Sequence, residues 1–95
     1  MFILNLKNMN LLIVLLDSAV NVAHEWMKLG AGLAAVLAAF GASYGISQIA
    51  KSALESIARQ PEAGNDLRSS MIVSAALIEG VTFFAIVVCL LILFV

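Results

Sequence analysis

The chain has 95 residues, of which 63% are hydrophobic and 12% charged, with a formal net charge of −1 and a mean hydropathy of +1.09. Such a composition belongs to a membrane protein and leaves too little polar chain for an independent soluble core. A pI near 5.6, with no cluster of Lys and Arg to neutralise phosphates, excludes nucleic acid as an expected partner.

Residues 1–28 form a mixed leader. Short apolar pieces at 2–4 and 11–16 are separated by Asn5, Lys7, Asn8 and Asn10 and followed by Asp17, Asn21, His24, Glu25 and Lys28. The apolar run at 11–16 is too short to span a bilayer. It fits the core of a cleaved signal, with Lys7 before it and small residues from Ser18 to Ala23 after it. The plainer alternative is an uncleaved leader or interfacial segment preceding the first span, with Trp26 at the membrane boundary, where indole rings are favoured. His24 stands alone, with no Ser/His/Asp or Cys/His constellation around it, and reads as a solvated residue.

Residues 29–58 are expected to form the first transmembrane helix and its extension into water. The span at 29–50 is dominated by Gly, Ala and Ser. Residues four apart share a helix face, and the rows Ala31, Ala35, Ala39, Ser43, Ser47 and Gly41, Gly45 are small throughout. Small rows let backbones approach closely, and in lipid this packing replaces the missing hydrophobic drive. A homo-oligomer is the natural inference. The match of residues 30–35 to a G-x-G-x-x-A fingerprint lies in a membrane helix with no preceding strand, so no dinucleotide site is expected.

Residues 59–66 read as a polar loop. Lys51, Glu55 and Arg59 at i, i+4 and i+8 place alternating charge along the helix that leads into it. Pro61 disfavours helical geometry at Gln60, and Gly64, Asn65 and Asp66 supply turn chemistry, with Asn65 or Asp66 as candidate N-cap. Lys51, Arg59 and Arg68 on this side outweigh Lys7 and Lys28 on the other, so the positive-inside rule puts the loop in the cytoplasm and both termini outside.

Residues 67–95 form the second transmembrane helix, giving an all-α membrane hairpin. From Ser69 to Val95 the only charged residue is Glu79. An ionised carboxylate at that depth costs roughly 2.5–3.5 kcal/mol on insertion scales, so it is expected to be protonated or paired for much of the time. That makes it a candidate proton carrier. With the loop apex near Ala63, residues at equal depth sum to roughly 125, which sets Glu79 level with Ile46. Candidate site-lining residues are therefore Ser43, Gly45, Ile46 and Ser47 on the first helix and Leu77 and Thr82 on the second. Gly45 is expected to leave space for the carboxyl, and Thr82 either helps it or bonds back to the carbonyl of Ile78. No other acid, His or Cys lies at this level, so no metal site is expected. Cys89 is a lone cysteine in an apolar run and reads as packing.

Three features together carry a family resemblance: Ala58-Arg59-Gln60-Pro61-Glu62-Ala63 in the loop, small residues at 41, 43, 45 and 47, and Ala76-Leu77-Ile78-Glu79-Gly80 in the second helix. The chain from Gly30 to Val95 resembles the c subunit of bacterial F-type ATP synthases, a proteolipid of the bacterial cell membrane. The resemblance implies a homo-oligomeric rotor ring, the c-ring, with the small-residue helices inside and the carboxylate helices outside. It assigns Glu79 the proton-carrying role, to be exercised at the stationary a subunit of the membrane sector. It assigns Arg59, Gln60 and Pro61 the docking of the central stalk subunits gamma and epsilon. Membrane lipid is the remaining partner, and no cofactor or nucleotide site is implied within the chain.

The chain departs from the family pattern in having Ser43 and Ser47 where alternate glycines are common. Sodium-carrying members place Gln where this chain has Ile46 and Ser or Thr where it has Gly80, so the transported ion is expected to be a proton. Without the loop motif, a pore-forming or lysis protein and a minimal dimeric transporter stand as alternatives. The pore reading calls for a polar stripe that the second helix does not carry beyond Glu79 and Thr82.

Overall fold

A computed structural model describes the whole chain, Met1 to Val95. It is a helical hairpin 89 Å long and 14 × 12 Å in section. The first helix, α1, runs without interruption over Phe2–Arg59. A single 3-10 turn at Pro61–Ala63 leads directly into the second, α2, at Gly64–Phe94. Both helices are long and apolar enough to cross a membrane.

The connection is tighter than the loop expected at 59–66. Gln60, held before Pro61, leaves the helix at φ −132° and ψ 75°, which breaks the α geometry of α1. Its N–H still donates to the carbonyl of Ser56, at 2.9 Å, and the N–H of Ala63 donates to the carbonyl of Gln60, at 3.1 Å. The turn therefore supplies its own backbone bonds, and α2 starts at Gly64 with Ala63 as N-cap and no side-chain cap. Asn65 and Asp66 lie within the first turn and do not cap it, although Asp66 still suits the positive end of the helix dipole.

The two helices meet along stripes that repeat every three or four residues. On α1 the half-buried positions include Ala35, Ala38, Ala42, Gly45, Ile49, Ala53 and Ile57, and Ala31 is the one fully buried residue. On α2 they include Leu67, Met71, Ser74, Ile78, Thr82, Ala85, Cys89 and Ile92. Small side chains on α1 thus receive larger ones from α2. One buried residue in the whole chain is no core for a water-soluble fold, so the outer faces require lipid or further helices.

The structure adds detail to three expectations. Residues 2–28 are helical and continuous with the first span, and the chain contains no Gly or Pro before Gly30 to stop the helix. The small rows of α1 do not share one environment: Ala31, Ala35 and Gly45 face α2, whereas Ala39, Gly41, Ser43 and Ser47 remain exposed. The charges Lys51, Glu55 and Arg59 stand on exposed helix surface without pairing, and the single ion pair is Lys28 Nζ to Glu25 Oε1 at 3.1 Å.

Candidate functional site

Glu79 sits on α2 beside the helix contact, not within it. Its neighbours in sequence explain the placement: Ile78 and Thr82 hold the contact stripe, and a residue one step from Ile78 turns about 100° away from α1's face. The carboxyl is therefore exposed on the flank of the hairpin. Two clefts of about 290 Å3 adjoin it. One is lined by Ala42, Ser43, Ile46, Thr82, Phe83 and Ile86, the other by Ile46, Ala50, Met71, Ile72, Ala75 and Ala76. Ile46 belongs to both, so α1 presents to Glu79 the residue that equal-depth counting selects.

The hydroxyls nearby are engaged with their own helices. Thr82 Oγ1 donates to the carbonyl of Ile78 at 2.8 Å, the second of the two roles its spacing allowed. Ser43 Oγ donates to the carbonyl of Ala39 at 2.9 Å, and Ser47 Oγ to that of Tyr44 at 2.8 Å. Glu79 makes no side-chain hydrogen bond or ion pair within the hairpin. Its carboxyl is free to meet a partner from outside the chain.

Of the candidate lining residues, Ser43, Ile46 and Thr82 share a cleft with Glu79. Gly45 and Leu77 do not. They line the opposite groove, about 550 Å3 in volume, together with Ala38, Gly41, Ile78 and Val81. The space at Gly45 is taken by Ile78, whose Cδ1 would lie 3.4 Å from a Cβ added there, so this glycine admits a contact-stripe side chain and not the carboxyl. Ser47 lines neither cleft at Glu79. Depth along a hairpin follows from counting; the facing side depends on helix rotation, which the contact stripe alone reveals. The alanines at 42, 50, 75 and 76 carry no chemistry that marks them in the sequence as neighbours of a carboxyl.

At the far end, Arg59 closes α1, Gln60 breaks it and Pro61 opens the turn. All three are exposed at the tip of the hairpin, roughly 20–25 Å along the helices from the level of Glu79.

The family model for the C subunit of ATP synthase matches residues 29–92. The chain belongs to that family. It is 57% identical over 84 residues to the ATP synthase c subunit of Phocaeicola vulgatus, covering 88% of this chain and 98% of that protein. The c subunit of Bacteroides thetaiotaomicron is 52% identical over the same length, 88% of this chain and 99% of the relative. That of Latilactobacillus sakei is 52% identical over 66 residues, 70% of this chain and 94% of the relative. The ATP synthase c subunit is a non-catalytic, ion-transporting membrane component of the rotor, and its two-helix hairpin is the unit of a ring. The family assignment removes the lysis-protein and minimal-transporter readings and makes the chain a membrane protein.

Proposed function

We propose that Glu79 is the proton-carrying carboxyl of a rotor ring built from copies of this hairpin, and that its reversible protonation couples proton flow to rotation and ATP synthesis. The observation that carries this reading is the carboxyl itself, alone on an apolar helix, flanked by two clefts and without a partner in its own chain. An ionised carboxylate costs several kcal/mol in lipid, so the group turns through the bilayer as the neutral acid and gives up its proton only where water or a cation meets it. The stationary a subunit, with a cationic side chain, would supply that place, since a nearby positive charge favours ionisation.

Ring geometry agrees with the two helices' surfaces. Beyond the hairpin contact, α1 exposes the small residues Ala39, Gly41, Ser43 and Ser47 among larger ones such as Val36, Leu37, Phe40 and Tyr44, while α2 exposes a denser set of large ones, Ile72, Val73, Leu77, Val81, Phe83 and Phe84. Thin helices fit the smaller radius of a closed ring and bulky ones the larger, which puts α1 inside and Glu79 toward the outer flank. The proton is favoured over sodium because the residues around Glu79 are mainly Ala, Ile, Met and Phe. The only side-chain oxygens there, on Ser43 and Thr82, already serve backbone carbonyls. Arg59, Gln60 and Pro61 dock the central stalk subunits gamma and epsilon at the exposed tip. The ring lies in the bacterial cell membrane with this tip in the cytoplasm and both termini outside.

Each proton crossing is worth ~2.3 kcal/mol per 100 mV, so several crossings must be combined for each ATP, which a multi-site ring does mechanically. Glu79→Gln keeps shape and polarity but cannot release a proton. In membrane vesicles it should abolish proton-driven ATP synthesis while the oligomer still assembles. Synthesis at the wild-type rate would end the assignment.

A further inference from the structure

More than a third of α1 has nothing beside it. The end of α2 reaches the level of His24, Met27 and Lys28, which line a small cleft with Ile92, Leu93 and Val95. Beyond that level, residues 2–23 continue the same straight helix for roughly 33 Å, on the side of the membrane opposite the turn. This extension is not built for water. Leu11 to Leu16 are six successive large apolar side chains, each 56–60% exposed. Something has to cover them.

The extension carries a polar stripe whose phase identifies the cover. Along the contact face of α1 the positions 31, 35, 38, 42, 45 and 49 alternate steps of four and three, and all are Ala, Gly or Ile. Continued toward the N-terminus with the same alternation, the ladder passes through Lys28, His24, Asn21, Asp17, Val14, Asn10 and Lys7, polar at every rung but one. The drift of such a 3.5-residue repeat, ~20° per heptad, is what a left-handed supercoil absorbs. The face that α2 covers is apolar while α2 lasts and polar once α2 has ended. Off the stripe, the flank through Met9, Ile13, Leu16 and Val20 is apolar throughout, the flank through Leu11, Leu15 and Val22 also carries Asn8, Ser18 and Glu25, and Asn5 lies on the far side. A helix lying flat on lipid would also need a polar stripe, but not one in register with the contact face of a different segment.

We propose that residues 2–28 form a collar on the ring, in which the apolar flank of each extension packs against the Leu11, Leu15 and Val22 ridge of the next. The occupant of the exposed apolar surface is a second copy of this chain. With α1 on the inside of the ring, the α2-covered face looks outward, so the stripe Lys7, Asn10, Asp17, Asn21, His24 and Lys28 meets water around the collar's rim. The flanks meet as Leu11 and Val22 of one copy against Ile13 and Val20 of the next. The proposal rests on the ring reading above and extends it beyond the membrane.

Disulfide crosslinking in the assembled complex tests it, in a Cys89→Ser background. Val20→Cys/Val22→Cys puts one thiol on each flank, and oxidation should give a ladder of multimers on a non-reducing gel. Asp17→Cys/Asn21→Cys puts both thiols on the rim and should give none, while reacting with a water-soluble maleimide at least tenfold faster. Leu11→Cys/Ile13→Cys repeats the flank test two turns away, should the first pair disturb assembly. An intact oligomer with no flank ladder, or with equal ladders from flank and rim, overturns the collar and leaves the ring standing. A purified protein whose mass lacks residues 1–23 overturns it as well. Loss of the oligomer from native gels of the unsubstituted chain would refute the ring and the collar together.

Discussion

The two helices of the hairpin divide their work by side-chain size. Along their contact, α1 offers Ala31, Ala35, Ala38, Ala42 and Gly45, and α2 answers with Met71, Ile78, Thr82, Ala85 and Ile92. One helix supplies closeness and the other fills it. The single intramembrane charge lies on the filling helix, one residue from the contact stripe, where packing neither buries it nor gives it a partner. In lipid, association depends on such fit because apolar side chains gain little from leaving a solvent as apolar as themselves. Under the proposed mechanism the difference between the helices has mechanical content: the contact would have to hold while the adjacent carboxyl changes its charge.

The sharpest way to break the division is to give α1 bulk where α2 already has it. Gly45→Leu would drive a branched side chain into Ile78 Cδ1, already 3.4 Å from a Cβ at that site. Overpacking of this kind costs about 1–3 kcal/mol in each hairpin. The purified oligomer should dissociate at lower temperature, and Ile78→Ala should restore part of the loss. Gly41→Leu is the control, since nothing in the hairpin lies within 4 Å of a Cβ there. Any defect from Gly41→Leu would report contacts between copies, whereas no defect from Gly45→Leu would refute the observed face.

A smaller effect is expected at the tip, where neither helix has packing to lose. Arg59→Glu reverses an exposed charge at the end of α1. The oligomer should keep its stability while more ATPase washes from membranes. Undiminished coupled synthesis would count against stalk docking at this residue.

Thr82→Val should do least. It removes a hydroxyl that bonds only to Ile78's carbonyl and keeps the β-branched shape in the contact stripe. A change below about 1 kcal/mol in oligomer stability is expected, with ATP synthesis maintained. A large loss of synthesis would mean that the hydroxyl serves Glu79.

Much of the hairpin was legible in sequence because its signals are strong. Pro61 marks the turn, the apolar runs mark the spans, and counting from Ala63 brings Glu79 level with Ile46, as the shared clefts do. Rotation about the helix axes was not legible. Gly45 and Ile46 are adjacent and equally deep, yet one receives Ile78 and the other borders Glu79, and only the partner's stripe distinguishes them. The helical continuity of the N-terminal third was not legible for another reason. Its Asn and Lys residues break the apolar run and suggest a leader, but none of them stops a helix, and without Gly or Pro the backbone continues from Phe2 to Arg59.

Selective carbodiimide labelling tests the carrier assignment most directly, because the reagent modifies protonated carboxyl groups in apolar surroundings. Mass spectrometry of the labelled ring should find Glu79 modified in preference to Glu55 and Glu62, with labelling that falls as rising pH removes the proton and does not change with sodium at constant pH. Preferential labelling of Glu55 or Glu62 would contradict the choice of Glu79, and strong protection by sodium would contradict the choice of the proton.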